Sequence, residues 1–201
     1  MGGVADWLFM ASATALLGSP GPGIAALLAV GRVEGWGGLR FYTGLQLGLA
    51  IAFGATAVGL LSLLEVVPLA MRVMTIVSAG YLTYLAYQIA TAAVGATLQR
   101  AQARSSLKSG LLLGIANPKA YVAFASLMAS QTLVDHDPEV DVILKWVLCV
   151  MVAIVVDLAW LSVGVRLRRA TLRPATERFL NVTLAVTILL AAVFTLLHSK
   201  A

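Results

Sequence analysis

Six stretches of this chain are each long and apolar enough to cross a bilayer, which leaves little choice of fold. A span needs roughly 20 mostly apolar residues, and such runs fall at about 5–28, 37–63, 66–92, 109–133, 143–165 and 179–198. Hydrocarbon offers no partners to backbone N–H and C=O groups, so each span has to satisfy its own as a helix. Composition agrees. The chain is 60% hydrophobic and 11% charged, where a soluble domain carries about a quarter charged residues. The expected fold is an all-α integral membrane protein, one transmembrane domain over 1–201.

Two of these runs carry proline motifs, Ser19-Pro20-Gly21-Pro22-Gly23 in the first and Asn117-Pro118-Lys119 in the fourth. Matching lead-ins precede them, Leu16-Leu17-Gly18 and Leu112-Leu113-Gly114. Proline removes a backbone donor and clashes with the preceding turn, so both helices should be interrupted. At membrane depth, freed backbone groups persist only where protein or a water-filled cavity satisfies them. Paired interruptions in corresponding halves of a chain point to a transporter's binding site. Pro20, Gly21, Pro22, Gly23, Asn117, Pro118 and Lys119 are therefore site candidates. Packing kinks are the bland alternative.

Charge sets the expected orientation. With six spans, ten basic residues (Arg32, Arg40, Arg100, Arg104, Lys108, Arg166, Arg168, Arg169, Arg173 and Arg178) fall on one side and Arg72, Lys145 and Lys200 on the other. The positive-inside rule makes the first side cytoplasmic. Both termini then face outward, as does the acidic connection from Asp135 to Asp141. A polar linker at 93–108 separates repeats of roughly 1–92 and 109–201. Three spans per half make the second enter from the opposite side, a 3+3 inverted repeat. The net charge of +5 reflects bases at helix ends, as membrane anchoring requires, and implies no nucleic acid.

Gly35, Gly37, Gly38, Gly44, Gly48 and Ala52 belong to the second run, and small residues four apart let helices approach closely. Packing is their first reading; gating or a homodimer interface is the other. Gly80-Tyr81-Leu82 is similar, with Tyr81 offering a cavity hydroxyl. Trp7, Trp36, Trp146 and Trp160 mostly sit near span ends, as interfacial anchors do. Cys149, alone in an apolar run, reads as a small hydrophobe.

Ionisable groups inside a membrane are costly and therefore suggest function. Asp157 lies about 14 residues into the fifth run, roughly 21 Å along a helix; snorkelling toward Arg166 or neutralising a structural partner is the bland reading, and a side chain too short to snorkel far favours a cavity. Asp157 is expected to hold a substrate ammonium, pair with Lys119, or carry a coupled proton. Lys119 lies about ten residues into the fourth run and is long enough to snorkel. On a regular helix Asn117 and Lys119 would point in nearly opposite directions, unless Pro118 breaks that geometry. Gln46 is a further candidate, or interhelical glue. Gly21 and Gly23 leave backbone accessible, and the helix start after the break favours a carboxylate. An amphoteric solute would find donors there and Asp157 for its ammonium.

At these residues the chain resembles the LysE/RhtB family of amino-acid exporters along nearly its whole length. The likeness rests on Ser19-Pro20-Gly21-Pro22, Gly35, Gly44-Leu45-Gln46-Leu47-Gly48, Gly80-Tyr81-Leu82, and Gly114 followed by Asn117-Pro118-Lys119-Ala120. Val155-Val156-Asp157 looks like the homoserine/threonine-exporter branch. The chain departs from the family pattern at Gly23, where members often carry an acidic or polar residue, and in a last run without glycine. The resemblance implies efflux of amino acids or close derivatives through the bacterial inner membrane by proton exchange, with no cofactor and no enzymatic activity.

Three other functions compete. A metal-cation exporter is suggested by related efflux families, but hard cations want several oxygen ligands and Asp157 is the single carboxylate expected deep in a span. A membrane scaffold would leave Asp157 and Lys119 buried without a reason. An intramembrane hydrolase lacks a base at depth, since His136 falls in a loop and His198 at the C-terminal end, and no His-Glu-x-x-His motif is present.

Overall fold

The structure, a computed structural model, describes residues 2–19, 21–59, 106–130 and 132–169 throughout, with scattered positions between 73 and 91 and between 175 and 193. Helices of fixed bounds are α1 (Gly2–Gly18), α2 (Pro22–Glu34), α3 (Leu39–Ala57), α4 (Leu107–Ile115), α5 (Pro118–Met128) and α6 (Pro138–Arg169). A 3-10 turn over Gly35–Gly38 joins α2 to α3. Among the described residues there is no strand. The runs expected at 66–92 and 179–198, and the linker at 93–108, lie largely outside the described residues. Those positions that are described from 73 to 90 and from 175 to 193 are helical.

The prolines begin helices rather than bend them. Pro22 and Pro118 open α2 and α5, where the missing N–H has no intrahelical partner to lose and the fixed φ suits the first turn. The residue before each is extended, Gly21 at φ −170°, ψ −176° and Asn117 at φ −81°, ψ 100°, because a following proline disfavours the helical region. The α4 and α5 axes consequently differ by 53°. Both expected interruptions are complete breaks.

Glycines decide which helices touch. Gly44 and Gly48 on α3 face Gly110 and Gly114 on α4. A Cβ on Gly48 would come within 2.5 Å of the Leu111 carbonyl oxygen, and one on Gly114 within 2.7 Å of the Leu45 oxygen. The same happens where α2 crosses α6, since a Cβ on Gly31 would lie 2.5 Å from the Leu161 oxygen and one on Gly164 2.5 Å from the Leu28 oxygen. Backbone meets backbone at both crossings, as small residues permit. The first run thus packs on the fifth, and the second on the fourth. Gly44 and Gly48 do the packing expected of them, and that face is filled within the chain. Gly35, Gly37 and Gly38 instead make the turn, with Gly35 at φ +62°, a conformation few other residues adopt.

Helix α6 runs beyond the expected 143–165 at both ends. Its 32 residues span about 48 Å, more than a hydrocarbon core of roughly 30 Å. The start moves into the acidic stretch because the Asp137 carboxylate accepts from the Glu139 and Val140 amides at 3.1 and 3.2 Å. One turn later Asp141 and Lys145 form a buried ion pair at 2.8 Å. Asp141 also accepts from the Leu133 and Val134 amides, and Lys145 donates to the Met128 carbonyl at 3.2 Å. The pair fastens the end of α5 and the following turn to α6. Lys145, counted from sequence among the surface bases, is only 3% exposed.

Phe9, Leu27, Phe41, Leu45, Phe53, Phe124, Leu127 and Leu161 form the fully buried centre. Large apolar side chains also face outward, including Leu47 and Ile51 on α3 and Met151 and Val155 on α6. Helix α6 alone, and α4 with α5 as a bent pair, are long and apolar enough to cross a membrane.

Candidate functional site

The two helix breaks touch each other. Lys119, in the first turn of α5, donates from Nζ to the Ser19 carbonyl, which the end of α1 leaves without a helical donor. Its side chain crosses Gly21 so closely that a Cβ there would lie 2.7 Å from Lys119 Cδ. Gly21 backbone is ordinary extended chain, so what its missing side chain makes room for is the path of Lys119.

Asp157 faces this junction from α6 and is 5% exposed. Gln46 Nε2, on α3, donates to Asp157 Oδ2 at 2.8 Å. No direct ion pair joins Asp157 to Lys119, so the pairing weighed from sequence is not formed. The reason is reach and competition: the ammonium is held at Ser19, and the carboxylate is held by Gln46. Tyr42, one helical turn before Gln46, donates to the Ile154 carbonyl at 2.8 Å and ties α3 to α6 beside the site.

Gly21, Gly23, Asn117, Lys119 and Asp157 all line one cavity of about 40 Å³, walled by Leu17, Ile24, Leu49, Phe53, Ala120, Ala123 and Ala153. Such a volume has room for a few waters. Phe53 stacks on Phe124 with centroids 4.8 Å apart and planes 11° from parallel, giving part of the wall a rigid apolar backing. Charges in such surroundings are weakly screened.

Asn117 and Lys119 face the same cavity although they are two apart. Asn117 stands outside α5 in extended backbone, so helical spacing does not apply to it. Asn117 is 6% exposed, and among the described residues its Oδ1 finds no donor; Gln46 Oε1 is likewise buried and without one. Gln46 sits one hydrogen bond behind the cavity. Pro22 and Pro118 shape the backbone around it. Pro20 and Tyr81 lie outside the described residues.

Sequence reasoning missed the apolar wall, although spacing carried a signal. Leu49 and Phe53 follow Gln46 by three and seven residues, and Ala153 precedes Asp157 by four, which places each on the polar residue's own helix face. Among the described residues no three His, Cys, Asp or Glu side chains gather as a metal site would require.

Searches among curated proteins and among solved structures found no match. The profile of the LysE type translocators matches residues 14–199, which include both helix breaks, Gln46 and Asp157, and the chain belongs to that translocator family.

Proposed function

We propose that the protein is a secondary transporter of the homoserine/threonine-exporter branch, moving amino acids or close derivatives out across the bacterial inner membrane in exchange for protons. One observation carries this reading: Asp157 and Lys119, opposite in charge, line the same small cavity with no direct ion pair between them. An amphoteric solute matches such a cavity. Its carboxylate would go to Lys119 and to the first-turn amides of α2. Its ammonium would go to Asp157.

Exchange follows from competition at Asp157. A buried carboxylate is costly when uncompensated, so after the ammonium leaves, a proton takes its place, and the two ride in opposite directions. Lys119 exchanges the Ser19 carbonyl for the substrate carboxylate as the cavity opens, which couples occupancy to the contact between the two breaks.

The architecture proposed is a 3+3 inverted repeat of 1–92 and 109–201 about the linker 93–108, with both termini outside. The crossed packing of α2 on α6 and α3 on α4 supports it, because an inverted repeat relates the first-with-fifth pair to the fourth-with-second pair. A metal-cation exporter gains no such support, with one carboxylate in the cavity.

Flux across proteoliposomes tests the reading. With an imposed pH gradient, at least one of the twenty common amino acids should move against the proton flow, and dissipating the gradient should stop it. Gradient-independent leakage alone, or no flux for any member of the panel, rejects the proposal.

A further inference from the structure

We infer that Gln46 is the positioning residue of Asp157: its amide holds the carboxylate in a fixed orientation at the cavity wall, and proton exchange depends on that hold. This rests on the proton-exchange reading above and goes further, naming a residue that acts through Asp157 from behind the cavity.

Three successive turns of one α3 face reach α6. Tyr42 donates to the Ile154 carbonyl at 2.8 Å, Gln46 Nε2 to Asp157 Oδ2 at 2.8 Å, and the Ala50 carbonyl accepts from Trp146 Nε1 at 3.1 Å. Residues four apart share a helix face, so the Gln46 bond is bracketed by one tie a turn before it and another a turn after. Gly44 and Gly48 lie two residues to either side of Gln46, on the opposite face, and there α3 meets α4 backbone to backbone. The approach of α3 to α6 is therefore fixed without Gln46, and the role of interhelical glue is already filled.

The amide is also served at one end only. Nε2 donates to Asp157, whereas Oε1 is buried and, among the described residues, has no donor. A stranded acceptor carries a desolvation cost that an apolar side chain of the same length avoids; what such a side chain cannot supply is the donor. Asp157 needs that donor. It is 5% exposed, an uncompensated buried charge is costly, and a hydrogen bond to an ionised oxygen is among the strong ones. The other titratable groups nearby are engaged elsewhere. Lys119 of α5 lines the same cavity but donates to the Ser19 carbonyl, and Tyr42 of α3 donates to Ile154. The first break and its flanking helices bring only Leu17, Gly21, Gly23 and Ile24 to the lining, none of them titratable. A proton from cavity water bonds to the carboxylate and later returns to water; Gln46 gains and loses none.

Variants of the full chain separate holding from glue. In acid buffer, the carboxylic-acid infrared band of Asp157 is the one that Asp157→Asn removes. Gln46→Met, similar in length but with no donor, should move that band to higher frequency, as loss of a hydrogen bond does. It should also slow the pH-driven flux of an equimolar mixture of the twenty common amino acids about tenfold, the effect of one such bond. Its melting temperature in mixed micelles should stay within a few degrees of native. Trp146→Phe cuts a tie and spares the hold, so it should melt earlier, leave the band in place and keep flux per folded molecule near native. An unmoved band or native flux in Gln46→Met overturns the inference. If Gln46→Met does not fold, the native chain with isotope-labelled glutamine carboxamides decides. Their band should shift between neutral and acid buffer and stay fixed in Asp157→Asn; no shift in the native chain overturns the inference. If the native chain moves no amino acid under the gradient, the exchange reading falls and this inference with it, whereas a native flux indifferent to Gln46 removes this inference alone.

Discussion

Asp157 has a hydrogen-bond partner in Gln46 and, among the described residues, no direct ion pair, and this decides what its replacement does. Asp157→Asn keeps the shape and still offers an oxygen to Gln46 Nε2. Proton-coupled flux should fall about 10- to 100-fold, the worth of a charge-assisted hydrogen bond, while the melting temperature stays within a few degrees. A structural pair would behave otherwise, since removing one member of a buried pair costs about 3–5 kcal/mol and Lys119→Met would rescue it. With Lys119 held at Ser19, the double variant should be no more stable than Asp157→Asn alone. The glycines of the first break give a second contrast. Gly21→Ala drives its methyl into Lys119 Cδ at 2.7 Å, whereas Gly23→Ala meets nothing nearer than Leu45 Cδ2 at 3.6 Å. Flux should drop severalfold in Gly21→Ala and stay near native in Gly23→Ala; equal flux in the two would show that the Lys119 path over Gly21 is immaterial.

Helices here are positioned by what they lack. Where α3 meets α4, and α2 meets α6, glycines leave backbone against backbone, and no side chain of any kind fits between them. Gly114→Ala, with its Cβ 2.7 Å from the Leu45 oxygen, should destabilise the protein by about 1–3 kcal/mol through overpacking. Gly54→Ala, on the same α3, meets only Trp146 Nε1 at 3.6 Å and gains helix propensity of about 1 kcal/mol. Unfolding in mixed micelles should rank them Gly54→Ala, native, Gly114→Ala from most to least stable, and a reversed order would remove the glycine crossings as the cause of the layout. The same elements show how far sequence reached. Pro22 and Pro118 act on the residues beside them, so both breaks were readable. The ends of α6 were not, because Asp137 capping and the Asp141–Lys145 pair depend on how the preceding turn folds back.

For the whole molecule, the ten-to-three split of basic residues carries an expectation about orientation. A phosphatase fused to the C-terminus should be active and a fluorescent protein fused there dark; the opposite result would mean an odd number of spans or a charge split that does not set the orientation. Sequence alone determined the all-helical class, the two interruptions, and the oddity of Asp157 and Lys119 in apolar runs. These follow from rules that act locally or on composition: a backbone without water must bond to itself, proline cannot continue a helix, and charge in hydrocarbon is costly. Only the tertiary structure decided that Lys119 closes on Ser19, 100 residues away, and that Gln46 holds Asp157 across 111. It also turned Asn117 and Lys119 to one cavity and buried Lys145. Each of these depends on which helix faces approach, and that is set by backbone contact at Gly31, Gly48, Gly114 and Gly164, where the spacing of small residues permits an approach without naming its partner.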